Sequence, residues 1–178
     1  VARAWAYRVK GVATGAAKIV VADGNFHGRT TTIVSFSDDP EARAGFGPYT
    51  PGFVRVPFGD LAALDAAIDE NTVAVLLEPV HGEAGVVVPP DDYLPGTRAL
   101  CSERGVLFIA DEVQSGYART GQWFACEDEH VVPDLITFAK GVNSGYVPLG
   151  GVVISDAIAG HFDERAYPGG LTYSGHPL

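Results

Sequence analysis

The chain has 178 residues, 47% hydrophobic and 19% charged, which suits one globular domain with a sizeable core. A net charge of −10 gives nucleic acid and anionic membranes no electrostatic reason to bind, so neither is expected as a partner. No apolar run is long enough to span a bilayer, and the opening VARAWAYRVKG is amphipathic without the apolar stretch of a signal peptide. The two cysteines, Cys101 and Cys126, form no CxxC, so a reducing cytoplasm is the expected location. The five histidines are scattered and no metal is expected; His81 and Glu83 share a turn, but two groups do not make a metal site. The chain contains no methionine and closes on GHPL without a helix stop, so a piece of a longer protein is expected.

In chain order, five short apolar runs read as buried parallel strands. They are KIVVADG (18–24), FVRVPF (53–58), VAVLLEPV (73–80), VLFIADEV (106–113) and DLITFAK (134–140). Between them, GFGPYTPG (45–52) reads as a surface loop. DLAALDAAIDE (60–70) reads as a helix: Asp60 is placed to cap it, and Leu61, Leu64 and Ile68 recur at helical spacing. YLPGTRALCSERG (93–105) reads as a second helix, stopped by Gly105. PLGGVVIS (148–155) is a further strand candidate, followed by a short helix around 156–162. Alternating strands and helices predict an α/β fold with a mainly parallel sheet flanked by helices.

Ligands of open α/β sheets bind beyond the carboxyl ends of the strands. Here those ends carry polar residues: Asp23 to His27, Glu78 to Glu83, Asp111 to Gln114, and Lys140. Lys140 is one of three lysines and closes a strongly apolar strand, where a charged amine is costly. Asp111 closes the preceding one. On this pair alone, a salt bridge at the rim of the sheet is the simpler account. The chemical account is a site for pyridoxal phosphate, which needs a lysine amine for its Schiff base and a carboxylate on its pyridine nitrogen. A partly desolvated lysine has more of its amine in the free, nucleophilic form. Phe26 is placed to stack on such a ring, or to fill the core. Val113 is placed to pack on the opposite face, Gln114 to reach a ring hydroxyl or stand in solvent, and Thr172 to meet a phosphate or serve as an ordinary loop threonine. The dinucleotide, P-loop, serine-hydrolase and zinc-protease motifs GxGxxG, GxxxxGK[ST], GxSxG and HExxH are absent.

Five motifs in this order resemble the class III (ω-amino acid type) pyridoxal-phosphate aminotransferases of fold type I. They are GNFHGRT (24–30), EPVHGEAGVVVP (78–89), LFIADEVQSGYARTG (107–121), FAKGVNSGYVPLGG (138–151) and LTYSGHP (171–177). The resemblance covers the whole chain. It implies that Lys140 is the Schiff-base lysine and proton carrier, and that Asp111 is the partner of the pyridine nitrogen. It implies a stacking role for Phe26, with His27 beside it near the substrate channel. Val113 would lie on the opposite face and Gln114 near the ring hydroxyl. Thr172 would reach the cofactor phosphate of a neighbouring subunit, which implies a homodimer with shared sites. Glu78 and Glu83 would be substrate-pocket glutamates, the second gating an arginine that binds a carboxylate.

Residues 1 to about 121 resemble the ornithine-specific branch most, and from about 122 onward the wording is closer to ω-amino acid:pyruvate enzymes. The implied activity is transfer of a terminal amino group, such as that of ornithine, to a 2-oxo acid such as 2-oxoglutarate. A β-alanine, GABA or amine donor with pyruvate is the alternative. Residues 1–178 correspond to part of the cofactor-binding large domain, without the N-terminal segment and the C-terminal small domain, so the chain alone is expected to be inactive. A reading of a different class is a truncated, non-catalytic chain that serves only in binding or oligomerisation.

Overall fold

Alternate residues of the strands divide between two cores. In the computed structural model, which describes residues 1–177, six strands form one sheet. They are β1 (Lys18–Ala22), β2 (Phe53–Val56), β3 (Thr72–Leu77), β4 (Leu107–Asp111), β5 (Leu135–Phe138) and β6 (Gly151–Ile154). Val20, Ala22, Val75, Leu77, Phe108 and Ala110 point to one face. There they meet Leu64 of helix α4 (Leu61–Ala67) and Leu94 and Cys101 of helix α5 (Tyr93–Arg104). Ala74, Leu107 and Ile109 point to the other face. They meet Ala2 of α1 (Ala2–Trp5), Ala6 in the π-helical turn that follows it, and Ile158 of α6 (Asp156–Ala159). Both faces are covered, which is why these strands read as near-continuous apolar runs. Each fully buried Val, Leu or Phe contributes about 1.5–3 kcal/mol.

Local signals place the helices. The Asp60 side chain accepts from Ala63 N at 2.9 Å and starts α4. Gly105 ends α5 at a left-handed φ of 60°, which lets Val106 N return to Cys101 O at 2.9 Å. Two further short helices, α2 (Thr31–Val34) and α3 (Pro40–Arg43), lie between β1 and β2.

The strand order is β2-β1-β3-β4-β5-β6. β1 to β5 are parallel and β6 pairs antiparallel with β5. The segment between β5 and β6 holds only the short 3-10 turn Lys140–Val142, too little to carry the chain back for a parallel strand. The chain leaves β1 for β2 on one side and returns to β3 on the other, so β1 and β3 flank a topological switch point. The observed strands stop short of the sequence expectation at their carboxyl ends: at Ala22, Leu77, Asp111 and Phe138. The residues beyond are loops at one edge of the sheet, and they carry the strand-end polar groups named above except Asp111, which is the last residue of β4.

Candidate active site

The loops after β1 and β3 are tied to each other. Asn25 is buried and its side chain donates to Ala22 O at 2.6 Å and to Phe36 O at 3.4 Å. Gly24 N donates to Asp38 Oδ2 at 2.7 Å. Gly24 has a φ of 76°, and a Cβ there would meet His81 Nδ1 at 3.3 Å. Phe26 N donates to Glu78 Oε2 at 2.9 Å. The Phe26 ring is half-buried, with the Arg29 guanidinium 5.5 Å from its centroid. Glu78 is buried, and burial raises its pKa; the Phe26 amide and the His27 ring pull the other way. Beyond Glu78 the chain forms a small hairpin in which His81 and Val87 exchange backbone hydrogen bonds of 3.0 and 2.9 Å. Glu83 sits exposed in that hairpin and lines a pocket with Phe26, His27 and Asp38.

Asp111 ends β4 and is buried. Its Oδ2 lies 2.6 Å from His27 Nδ1 and its Oδ1 accepts from Val113 N at 3.1 Å. Val113 is thereby turned back over its own strand end. Asp111 stands in register with Thr137 on β5, so Lys140 lies three residues further along the neighbouring strand line. The expected rim salt bridge is not formed: the Lys140 amine donates to Gln114 Oε1 at 2.8 Å, and Asp111 pairs with His27. The expected desolvation of Lys140 is corrected as well. Its φ of 41° turns the chain out of the sheet, and the side chain stands exposed at the rim.

Thr172 lies in an exposed turn. Its neighbours Leu171, Tyr173 and Ser174 face the loop 142–150 that follows Lys140. The structure therefore brings Phe26, His27, Glu78, Asp111, Val113, Gln114 and Lys140 to one edge of the sheet, with Glu83 at its mouth and Thr172 outside it.

Sequence reasoning did not foresee two buried groups. His81 is buried with its ring stacked on Phe58 at a centroid distance of 3.7 Å, and burial lowers its pKa to about 4. Glu112 is fully buried beside Asp111. The only available signal was their position just past a strand end.

The edge fits a pyridoxal group. A carboxylate offers about four acceptor positions, and Asp111 uses two, leaving room for a further N–H. His27 Nε2 and Thr137 Oγ1 are buried polar atoms without a partner among the described residues, which marks this corner as built for more than packing. Among the described residues no group of three or more His, Cys, Asp or Glu side chains is placed to hold a metal ion, and no helix is long and apolar enough to cross a membrane.

The family profile "Aminotransferase class-III" matches residues 1–178. The chain belongs to the class III aminotransferases. It is 49% identical over 177 residues to the ornithine aminotransferase of Oceanobacillus iheyensis, covering 99% of this chain and 44% of that protein. The fold matches a solved Toxoplasma gondii ornithine aminotransferase with a TM-score of 0.89 and 36% identity, over 93% of this chain and 40% of that one. That structure is described as having partial occupancy of PLP at its active site. An (S)-enantioselective omega-transaminase from Thermomicrobium roseum matches with a TM-score of 0.87 and 37% identity, over 97% of this chain and 43% of that one. The chain thus spans less than half the length of these relatives. Pyridoxal phosphate is the cofactor of the family.

Proposed function

We propose that the protein carrying this chain transfers a terminal amino group, that of ornithine foremost, to a 2-oxo acid such as 2-oxoglutarate. The observation that carries this reading is the Lys140–Gln114 contact at the strand end next to Asp111, in a chain similar over nearly its full length to ornithine aminotransferases. Pyridoxal phosphate, when bound, supplies a carbonyl that captures amines and a ring that takes up the electron pair left on carbon.

The side chains have separable tasks. Lys140 would hold the group through its amine and move a proton at the substrate carbon. Gln114 orients that amine through the 2.8 Å hydrogen bond. Asp111 would hold a proton on the pyridine nitrogen, and His27 fixes the carboxylate through its Nδ1, 2.6 Å from Oδ2. Phe26 is held by Glu78 through its backbone amide and offers its ring for stacking. Glu78 is buried and used by backbone donors, so Glu83, exposed at the mouth, is the glutamate better placed to meet a substrate.

The similarity to an omega-transaminase supports a second donor class, ω-amino acids or amines with pyruvate as acceptor. A partner copy of the chain is part of the same reading. Tyr146, Leu149, Leu171 and Tyr173 are exposed around the loop after Lys140, and Tyr146 is 91% exposed. A second subunit would cover them and bring Thr172 to its site. Two free, buried thiols, Cys101 and Cys126, suit the reducing cytoplasm.

Borohydride reduction of the full-length protein with pyridoxal phosphate, followed by peptide mass mapping, tests the site. A pyridoxyl group confined to Lys140 is expected. Labelling of Lys10 or Lys18 instead, or no labelling, would overturn the assignment. A donor screen of ornithine with 2-oxoglutarate against β-alanine with pyruvate decides the substrate class.

A further inference from the structure

We infer that Glu112 is a positioning residue: its buried carboxylate pins the loop 113–126, and the pinned loop sets Gln114 and the turn that carries Lys140. The inference rests on the cofactor reading above and adds a residue to which that reading gives no task.

Glu112 is fully buried, and its side chain is held from three directions. Oε2 accepts from Ser115 Oγ and, at 3.1 Å, from Ala125 N; Oε1 accepts from Cys126 N at 2.9 Å. None of these donors is a cation. A buried carboxylate held by neutral donors alone is expensive compared with an apolar side chain of the same size. What it provides is geometry, because a single rigid acceptor joins the two ends of a long loop. The Glu112 backbone is fixed too, donating to Thr137 O at 2.9 Å on β5 and accepting from Gly116 N at 2.9 Å.

The loop so closed reaches Lys140 by two routes. The first is Gln114, which accepts from the Lys140 amine at 2.8 Å and packs on Gly82; a Cβ on Gly82 would lie 2.2 Å from the Gln114 amide nitrogen. The second is Tyr117. Its ring packs edge-on against Phe124 at 5.7 Å and tilted against Phe138 at 5.9 Å. Its N donates to Trp123 O at 2.6 Å across the loop. Its Cβ lies under Gly141, where an added Cβ would come within 2.8 Å. Gly141 follows Lys140 directly, so a shift of Tyr117 displaces the lysine turn. Gly116 has no room for a side chain either: a Cβ there would meet Glu112 O at 2.7 Å and Phe124 at 3.2 Å. Opening the carboxylate's hold therefore frees both the acceptor and the packing beneath Lys140.

The test is Glu112→Gln in the full-length protein, with Gln114→Ala as comparator. An amide replaces one acceptor oxygen with a donor, so a backbone N–H at Ala125 or Cys126 loses its partner. Amide hydrogen exchange in the cofactor-free protein is expected to rise about tenfold or more in peptides covering 113–126, the factor for losing a hydrogen bond to a charged acceptor. In the cofactor-loaded protein, the pH midpoint of the lysine-bound absorbance is expected to move by about half a unit or more, as an amine's does when an oriented partner is lost. Gln114→Ala should reproduce the midpoint shift without the rise in exchange. Faster exchange with unchanged midpoint and kcat would reduce Glu112 to a merely structural group and overturn the inference, as would unchanged exchange. If Glu112→Gln does not fold, Ser115→Ala removes one donor from the same carboxylate and must give the same two shifts in smaller size. If wild-type protein fails to label at Lys140, the cofactor reading falls. The exchange measurement still reports the pin by itself.

Discussion

His81 makes the stability of the protein depend on pH in a calculable way. Burial lowers its pKa from 6.5 to about 4; the neighbouring His27 adds to this and Asp38 opposes it. The folded state then refuses a proton that the unfolded chain accepts. Stability is complete above the unfolded value and falls as pH drops toward the folded one. Between pH 7.5 and pH 4.5 the two titrations differ by roughly two units, which is about 2–3 kcal/mol. The charged form gains no hydrogen bond: the ring is stacked on Phe58, and its Nε2 is 3.8 Å from Glu78 Oε2, so Glu78 and Asp38 attract the charge only at a distance and burial outweighs them. Glu78, whose pKa burial raises, acts in the opposite sense, gaining relative stability as it takes up a proton.

Comparing wild type with His81→Gln separates the two, because Glu78 is present in both. Chemical denaturation at pH 7.5 and 4.5 is the assay. Wild type is expected to lose about 2–3 kcal/mol more than His81→Gln over this interval. An equal loss in both proteins would refute the reasoning and mean that His81 is protonated in the folded state or reached by water.

Asp111→Asn in the full-length protein is expected to lower kcat about 10- to 100-fold, the range of a lost charge-assisted hydrogen bond; an unchanged kcat would make the carboxylate structural. Gly116→Ala pushes a methyl against Glu112 O and is expected to cost about 1–3 kcal/mol in denaturant unfolding. Asp60→Ala removes the cap of α4 and is expected to cost about 1 kcal/mol, with no change at the site; a larger loss would mean that Asp60 has a second partner.

The sheet was legible because each central strand is buried on both faces, and such strands announce themselves as apolar runs. The error lay in their ends. VLFIADEV reads as one apolar stretch, yet β4 stops at Asp111, because Val113 N turns back to Asp111 Oδ1 instead of continuing the ladder. The residues wrongly added to the strands include Glu78, Val113 and Lys140, three of the candidate site residues. Residue types were therefore readable, but contacts were not. His27 and Asp111 are 84 positions apart, and nothing local records that they meet at 2.6 Å. Glu112 was invisible for a different reason: its burial is imposed by residues 115, 125 and 126 folding over it, and an acidic residue after a strand ordinarily faces water.

Lys140 shows how the site and the fold pull against each other. A lysine at a φ of 41° places Cβ against its own carbonyl, which costs about 1–2 kcal/mol. Such a conformation persists only where the surroundings over-determine it. The strain is not isolated: Tyr117, Ala118 and Ser144 also have positive φ, and they lie in the two loops that meet at Tyr117 and Gly141. Glycine at position 140 would relieve the clash, offset by about 0.5–1 kcal/mol of extra chain entropy lost on folding. Lys140→Gly is therefore expected to be more stable than Lys140→Ala by about 0.5–1 kcal/mol in urea unfolding, with turnover abolished in both. Equal stability, or an advantage for alanine, would show that the turn relaxes once the side chain is gone. The strain would then belong to the lysine's bond with Gln114 and not to the backbone that the loops impose.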